Sequence, residues 1–189
     1  MSKYQKAHPV VGCVLTTDLK NVLDRWRGSL SYGELAGERI KLGLMVHDAE
    51  EEHDCFSDNT HAAHFFNALG IHNVYTGRYR RADGSVVSGP SVSDLVKAKD
   101  AKVDAEVVAA LDATMDAMSM MYLRALTTES YDQMISEGND EGNKVVQDVV
   151  DALLVQTKAI ERAVGTLDLK AIEFEGSDSI DAPEKVGAE

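Results

Sequence analysis

Two long stretches in the second half of this chain carry apolar residues at the spacing of an α-helix. The first has Val103, Val107, Leu111, Met115, Met118 and Tyr122; the second has Val146, Val149, Val150, Leu153, Leu154, Thr157, Ile160 and Val164. Side chains three and four residues apart share one helix face, and an apolar face must be buried against another element. Three prolines and a hydrophobic content of 44% suit a helix-rich globular protein. The pattern therefore predicts an all-α fold, an antiparallel helical bundle.

These two helices are predicted over about residues 103–125 and 142–164, with a short helix at 130–136 between them. Nearer the amino terminus, Thr and Asp capping residues and further apolar spacing predict a helix over about 17–30. A second helix should begin near Gly33 and run at least to Ala49. The bundle is thus expected to contain elements from both halves of the chain.

A long irregular excursion is predicted over residues 54–93, between the helices. It should hold a helix from His61 to Leu69, ended by Gly70, and a short extended piece at 71–75. Excursions of this length are often functional. The whole chain then divides into a leader of unclear role (1–16), one helical-bundle domain (17–175) and a mobile acidic tail (176–189).

The charge of the chain excludes two classes of partner. A formal net charge of −13 argues against nucleic acids and against anionic lipid surfaces, because both require clusters of Lys and Arg. No apolar run approaches the roughly 18 residues of a membrane span, so membrane insertion is not expected. The apolar run Val10–Leu15 is too short for the core of a secretory signal peptide, and we identify none.

Metal-capable and proton-transferring side chains are concentrated between Glu50 and His64. At about 100° per residue, the apolar stripe of the second helix passes through Leu35, Leu42, Val46 and Ala49. If that helix continues, His53 lies on the same stripe and Glu50 lies beside it, while Glu38 flanks the other edge. The spacing therefore predicts that these three polar residues face inward.

Glu50-x-x-His53 places a carboxylate and an imidazole on one helix face, where both can reach one cation. His61-x-x-His64 is a second pair of helical neighbours, and imidazole suits iron, zinc and copper. The alternative interpretation is structural: a surface pair at Glu50 and His53, a loop or capping residue at His61, and a partly buried core histidine at His64. Glu38 is too distant to share one ion and would support the site indirectly.

Four short hydrogen-bonding side chains follow at residues 57–60. They could orient the oxygens of a ligand, or they could form a turn that satisfies its own backbone. The candidate metal ligands are Glu50, His53, Asp58 and His61, and the candidate ligand-binding residues are Glu38, Glu52, Ser57, Asn59 and Thr60.

Five separated blocks, in this order, resemble the imelysin family of the iron-regulated protein A type. They are Leu30–Arg39, Glu50–His61, Gly70–Tyr75, Gly89–Leu95 and Glu173–Ser179. The resemblance extends from about Asp18 to the carboxyl terminus. It implies an all-α protein built from two related four-helix-bundle halves, exported to the bacterial periplasm or cell surface and associated with iron uptake. Proteins of this family have also been classed as metallopeptidases.

The family's Gly-x-His-x-x-Glu motif, which belongs to the amino-terminal half, has no match in this chain. The chain therefore resembles the second half of such a protein, and its Glu50–His61 run corresponds to half of the family's site. We predict an imelysin-like binding domain, linked to iron uptake, whose partner is a divalent metal, iron or an iron-containing ligand. The alternatives are a metallopeptidase with Glu50 or Glu52 as general base, and a structural half that acts only as a homo-oligomer or with a missing amino-terminal half.

Overall fold

The computed structural model describes residues 25–169 and 176–186. Over these residues the chain is almost entirely helical, and the predicted all-α bundle is confirmed. The helices are α1 (Arg25–Lys41), α2 (Leu42–Val46), α3 (Thr60–Thr76), α4 (Val92–Lys99), α5 (Ala101–Thr127), α6 (Tyr131–Ile135), α7 (Asp140–Thr166) and α8 (Asp178–Asp181). Three short 3₁₀ turns cover Ala49–Glu51, Cys55–Ser57 and Pro183–Lys185. A small antiparallel hairpin joins β1 (Arg78–Arg80) to β2 (Val86–Ser88), with Tyr79 opposite Val87.

The four long helices close a ring in which α3 packs on α5, α5 on α7, α7 on α1, and α1 on α3. One core cluster joins α1, α5, α6 and α7 through residues such as Ile40, Met118 and Leu153. A second cluster joins α3, α4, α5 and α7 around Tyr75 and Ile160. Burying each large apolar side chain contributes about 1.5–3 kcal/mol, which makes these two clusters the main source of stability.

Helix α1 is wound as a π-helix, with hydrogen bonds from residue i to i+5. Its buried residues Ser31, Leu35, Ala36 and Ile40 accordingly recur every four or five positions, and Leu44 of α2 follows them. This winding overturns the stripe predicted from ordinary α-helical spacing. Val46, the last residue of α2, is exposed, and so is Ala49, which lies beyond the end of that helix.

The second helix also ends earlier than predicted. His47 adopts left-handed backbone geometry, with φ of 53°, and closes α2 after Val46. The Nδ1–H of His47 donates to the carbonyl oxygen of Ile135 at 2.7 Å, which ties this helix end to α6. Glu50 and His53 therefore lie in the connection between α2 and α3, and the prediction that they continue a helical stripe is wrong.

The helix predicted to end at Gly70 continues to Thr76, so the piece at 71–75 is helical and not extended. Ile71 and Tyr75 are buried in the second core cluster, and this packing offsets the roughly 1 kcal/mol cost of a glycine inside a helix. Gly77, with φ of 64°, ends α3 before the hairpin. Within the 54–93 excursion, α3 therefore forms residues 60–76 and the short hairpin follows it.

Residues 176–186, within the predicted mobile tail, pack against the bundle. Ile180 packs on the first core cluster, and the Tyr32 hydroxyl donates to Asp181. Gly37 of α1 allows this close approach, because any side chain there would overlap Ser177. The leader at 1–16 and most of the helix predicted over 17–30 lie outside the described residues.

Candidate functional site

A group of buried polar side chains lies where the α2–α3 connection meets α3 and α6. We call Glu52, His53, His64 and Tyr131 the His64 cluster. Three of its members are at least nine-tenths buried: His64 is 0% exposed, Tyr131 1% and Glu52 7%. The cluster contains several hydrogen-bonding atoms that have no partner among the described residues, which is rare for buried polar groups in folded proteins.

His64 occupies the centre of the cluster. Neither its Nδ1 nor its Nε2 has a hydrogen-bond partner in the described part of the chain. Its ring stacks on that of His53 with centroids 6.1 Å apart, and meets the Tyr131 ring edge-on at 5.4 Å. Burial, aided by the charges of His53, Arg39 and His61, lowers the pKa of His64 to about 3. The imidazole is therefore neutral at physiological pH and keeps one nitrogen lone pair free.

Glu52 contributes a carboxylate at the edge of the cluster. One of its oxygens, Oε2, has no partner in residues 25–169 or 176–186. Burial raises the pKa of Glu52 although Thr60 donates a hydrogen bond to it, and the nearby charges of Asp132, Asp58 and Asp54 raise it further. A carboxylate crowded by other carboxylates is an environment that attracts a cation.

Tyr131 presents its hydroxyl from the first turn of α6. A capping box between Ser130 and Gln133 begins this short helix. The hydroxyl is buried and is another of the atoms without a described partner. Burial, and then the charge of Glu52, raise the pKa of Tyr131, so the phenol is protonated in the metal-free chain.

The connection between α2 and α3 is held by a few local bonds. The Asp48 side chain accepts from the backbone N–H of Glu50 at 2.9 Å. The Asp54 N–H donates to Thr60 Oγ1, also at 2.9 Å, at the start of α3. Thr60 is buried and bonds to both Glu52 and Asp54. It therefore fixes the acidic side of the cluster against α3.

The structure brings together some of the predicted site residues. Glu52 and His53 belong to the cluster, and Thr60 supports it. His61 lies one turn before His64 with its Nδ1 buried and unpartnered; its ring is 5.4 Å from that of Tyr122. Asp58 is exposed but close enough to act on the charge of Glu52.

Other predicted residues lie apart from this group. Glu50, Ser57 and Asn59 are exposed, and their described contacts do not include the cluster. Glu38 lines a different cavity, of about 370 Å³, between α1 and α8, together with Glu34 and Asp178. Because α1 is wound as a π-helix, the predicted inward orientation of Glu38 is wrong.

Two residues of the cluster were missed as functional candidates. His64 was interpreted as a partly buried core histidine, although its spacing from His61 was noted. Tyr131 is 67 positions further along the chain, and its own segment carries no signal of a site. A buried tyrosine whose hydroxyl lacks a partner can be recognised only in the folded structure.

The chemistry available in the cluster is imidazole nitrogen, carboxylate oxygen and phenol oxygen. Within residues 25–169 and 176–186, no three His, Cys, Asp or Glu side chains form a group that could hold a metal ion by themselves. A metal site in the cluster could therefore use no more than two of these side chains, beside the Tyr131 hydroxyl.

Comparison with known proteins places the chain in a family. No curated protein matches it. In the described residues, no helix has both the length and the apolar character needed to cross a membrane. The family model for imelysin matches residues 11–160, which span most of the chain and include all four members of the cluster. The chain therefore belongs to the imelysin family.

Proposed function

We propose that this chain is an imelysin-type binding domain that holds a metal ion, with iron the favoured metal, at the His64 cluster. The observation that carries the proposal is the set of buried, unpartnered atoms on His64, Glu52 and Tyr131. An unsatisfied buried polar atom costs about 1–3 kcal/mol. Several such atoms together are costly for the fold unless a bound group satisfies them.

The donors fit the metal that the family implies. Imidazole binds iron and zinc well, and carboxylate oxygen suits harder cations. His64 is neutral, as a metal-binding imidazole must be. His53 is exposed and stacks on His64, so it can receive an ion from solvent and pass it to the buried side of the cluster. His61 and Asp58 lie beside the cluster and Glu50 lies further out, so we assign these three a supporting role.

Membership of the imelysin family supports the wider role. We infer that the domain serves iron uptake in an exported bacterial protein, located in the periplasm or at the cell surface. The metallopeptidase and the homo-oligomer stay predictions. Cleavage of a protein substrate that a chelator abolishes would support the first, and light scattering at high concentration tests the second.

The test is a calorimetric titration of the metal-stripped chain with ferrous ion (under anaerobic conditions), zinc, calcium, and ferric ion supplied as a soluble chelate. We expect about one ion per chain. His53→Ala and Glu52→Gln should weaken binding about tenfold or more, the loss usual when groups that hold a metal are changed.

His72→Ala is the matched control. His72 lies on α3, the helix that carries His64. Its Nε2 is 2.9 Å from Asp112 Oδ1, outside the cluster. The control should bind as the unaltered chain does. Equal affinity in all four proteins, or an absence of saturable binding in the unaltered chain, would refute the proposed function.

A further inference from the structure

Tyr131 is the member of the His64 cluster whose chemistry differs from the others. We propose that its hydroxyl oxygen is a metal ligand and directs the cluster toward ferric iron, an inference that rests on the proposed function. The evidence is its position: the ring is edge-on to His64 with centroids 5.4 Å apart, and the hydroxyl is buried without a described partner.

The surroundings of Tyr131 favour an oxygen-rich site for a cation. Beyond the effect of burial, the charge of Glu52 raises the pKa of Tyr131. The charges of Asp132, Asp58 and Asp54 act in turn on Glu52. Arg39 is the positive group that acts on His64, and its guanidinium is 3.3 Å from the Glu34 carboxylate. The local balance of charge is therefore negative.

The chemistry of phenol separates ferric iron from divalent ions. When a phenol binds a metal as a phenolate, its O–H bond breaks, an oxygen–metal bond forms, and the proton passes to solvent. An ordinary tyrosine has a pKa of about 10, so at neutral pH only a strongly polarising ion will displace the proton. A small trivalent ion does this more effectively than ferrous ion, zinc or calcium. Phenolate and carboxylate are also hard oxygen donors, which a hard trivalent cation prefers.

The other donors suit the same ion. Glu52 supplies a second oxygen, and the neutral His64 imidazole supplies a nitrogen. The described residues contain no group of three or more His, Cys, Asp and Glu side chains that could hold a metal ion. The ligands proposed here are therefore His64, Glu52 and the Tyr131 hydroxyl.

The experiment uses visible absorption, because a phenolate bound to ferric iron gives a charge-transfer band and zinc does not. Ferric nitrilotriacetate is added to the metal-stripped full chain while binding is followed in parallel by calorimetry. We expect a visible band that saturates at about one iron per chain. Tyr131→Phe should abolish the band and weaken ferric binding about tenfold or more, while its zinc affinity stays within about twofold.

Tyr122→Phe is the control. Tyr122 is half-buried, and its ring contacts His61 beside the cluster, so this variant removes a nearby hydroxyl without touching the cluster. The band should persist in it. Tyr131→Phe removes only an unpartnered hydroxyl and keeps the ring in the core, so its circular dichroism should match that of the unaltered chain and its metal-free melting temperature should be no lower.

The outcomes separate this inference from the proposed function. Ferric binding by calorimetry without a visible band, or a band that survives Tyr131→Phe, would overturn the role of Tyr131 and leave the metal-binding domain standing. Absence of both ferric heat and band in the unaltered chain would overturn this inference alone if zinc or ferrous ion still binds. Absence of saturable binding for all four ions would refute the two together.

Discussion

Two buried tyrosines have opposite surroundings in this bundle. The Tyr75 hydroxyl, near the end of α3, donates to Asp104 Oδ1 at 3.1 Å, and the same oxygen accepts from Ser93 Oγ at 2.7 Å. The Tyr131 hydroxyl, at the start of α6, also lies near a buried carboxylate, that of Glu52, but has no partner among the described residues.

The difference separates a structural network from a site. Around Tyr75, each polar atom named has a partner, so the network ties α3, α4 and α5 together and has no unsatisfied atom on Tyr75 or Ser93 to offer a ligand. Around Tyr131, atoms on three side chains remain unsatisfied. The first arrangement stabilises the fold, whereas the second costs stability that a bound ion would restore.

The largest expected effect is the acid sensitivity of the His64 cluster. His64 has a pKa of about 3 when folded and about 6.5 when unfolded. Its contribution to stability is present above the unfolded pKa and is lost as the pH falls, because only the unfolded chain takes up the proton. Between pH 6.5 and 4, the free energy of unfolding of the metal-free chain should fall by about 3 kcal/mol more than that of the His64→Leu variant. The slope expected from one such proton is ~1.4 kcal/mol per pH unit.

Urea unfolding at several pH values, in the presence of a chelator, measures this difference. His72→Leu serves as the control, since the His72 ring is partly exposed and paired with Asp112. Parallel pH profiles for the unaltered chain and His64→Leu would contradict the buried, neutral state of His64.

The next largest effect on stability concerns the hydrogen-bonded network of Tyr75, Ser93 and Asp104. Asp104→Ala leaves the buried Tyr75 hydroxyl and the Ser93 hydroxyl without their acceptor, and we expect a loss of about 2–3 kcal/mol in the free energy of unfolding. Asp112→Ala, on the same helix, removes an exposed carboxylate and should cost less than about 1 kcal/mol. Similar losses in the two variants, measured by urea unfolding, would mean that the Tyr75 network is not a stabilising element.

Removal of either tyrosine hydroxyl should change the free energy of unfolding by less than Asp104→Ala does. Tyr75→Phe breaks a hydrogen bond to a buried carboxylate and should destabilise the chain by about 1–2 kcal/mol. Tyr131→Phe removes a buried hydroxyl that has no described partner, and should raise the stability of the metal-free chain by about 1 kcal/mol. Equal destabilisation by the two changes would show that Tyr131 is bonded in solution and would remove the contrast.

The smallest effect is that of the Glu52 charge. Its pKa is raised by burial, so its contribution to stability is full below the unfolded pKa of about 4.3 and is lost as the pH rises through the folded pKa. Glu52→Gln removes the buried charge but keeps an acceptor for Thr60. At pH 7 we expect a gain of about 1 kcal/mol or less, or a rise of about 2–4 °C in melting temperature.

The exposed neighbour Glu50 supplies the control for this change. Glu50→Gln should leave the melting temperature unchanged, because its side chain is exposed. A fall in melting temperature for Glu52→Gln alone would indicate that the Glu52 charge is stabilised by a partner in solution.

Much of the bundle could be predicted because local pattern and tertiary burial agree. The long helices predicted at about 103–125 and 142–164 are observed at Ala101–Thr127 and Asp140–Thr166. Ser91 caps α4 in a capping box with Asp94, the pattern that sequence signals for helix starts describe. In these segments the apolar spacing, the caps and the buried faces all indicate the same helix.

The helix predictions were wrong where the tertiary structure overrode a local sequence signal. The apolar stripe after Leu35 was traced at α-helical spacing, but the helix is wound more widely. Gly70 was taken as a helix end, but α3 continues because Ile71 and Tyr75 are buried beyond it. Neither the width of a helical turn nor the burial of a later residue can be read from local propensity.

The amino-acid sequence by itself determined the helical bundle, its family and the short run from Glu50 to His64 in which the candidate site lies. These depend on the order of side chains along the chain, which apolar spacing and motif matching read directly. Only the tertiary structure decided which members of the run are buried, removed Glu38 and Glu50 from the group, and placed Tyr131 beside His64. The reason is physical: desolvation, an unsatisfied hydroxyl and the contact of residues 67 positions apart arise only when separate helices pack together.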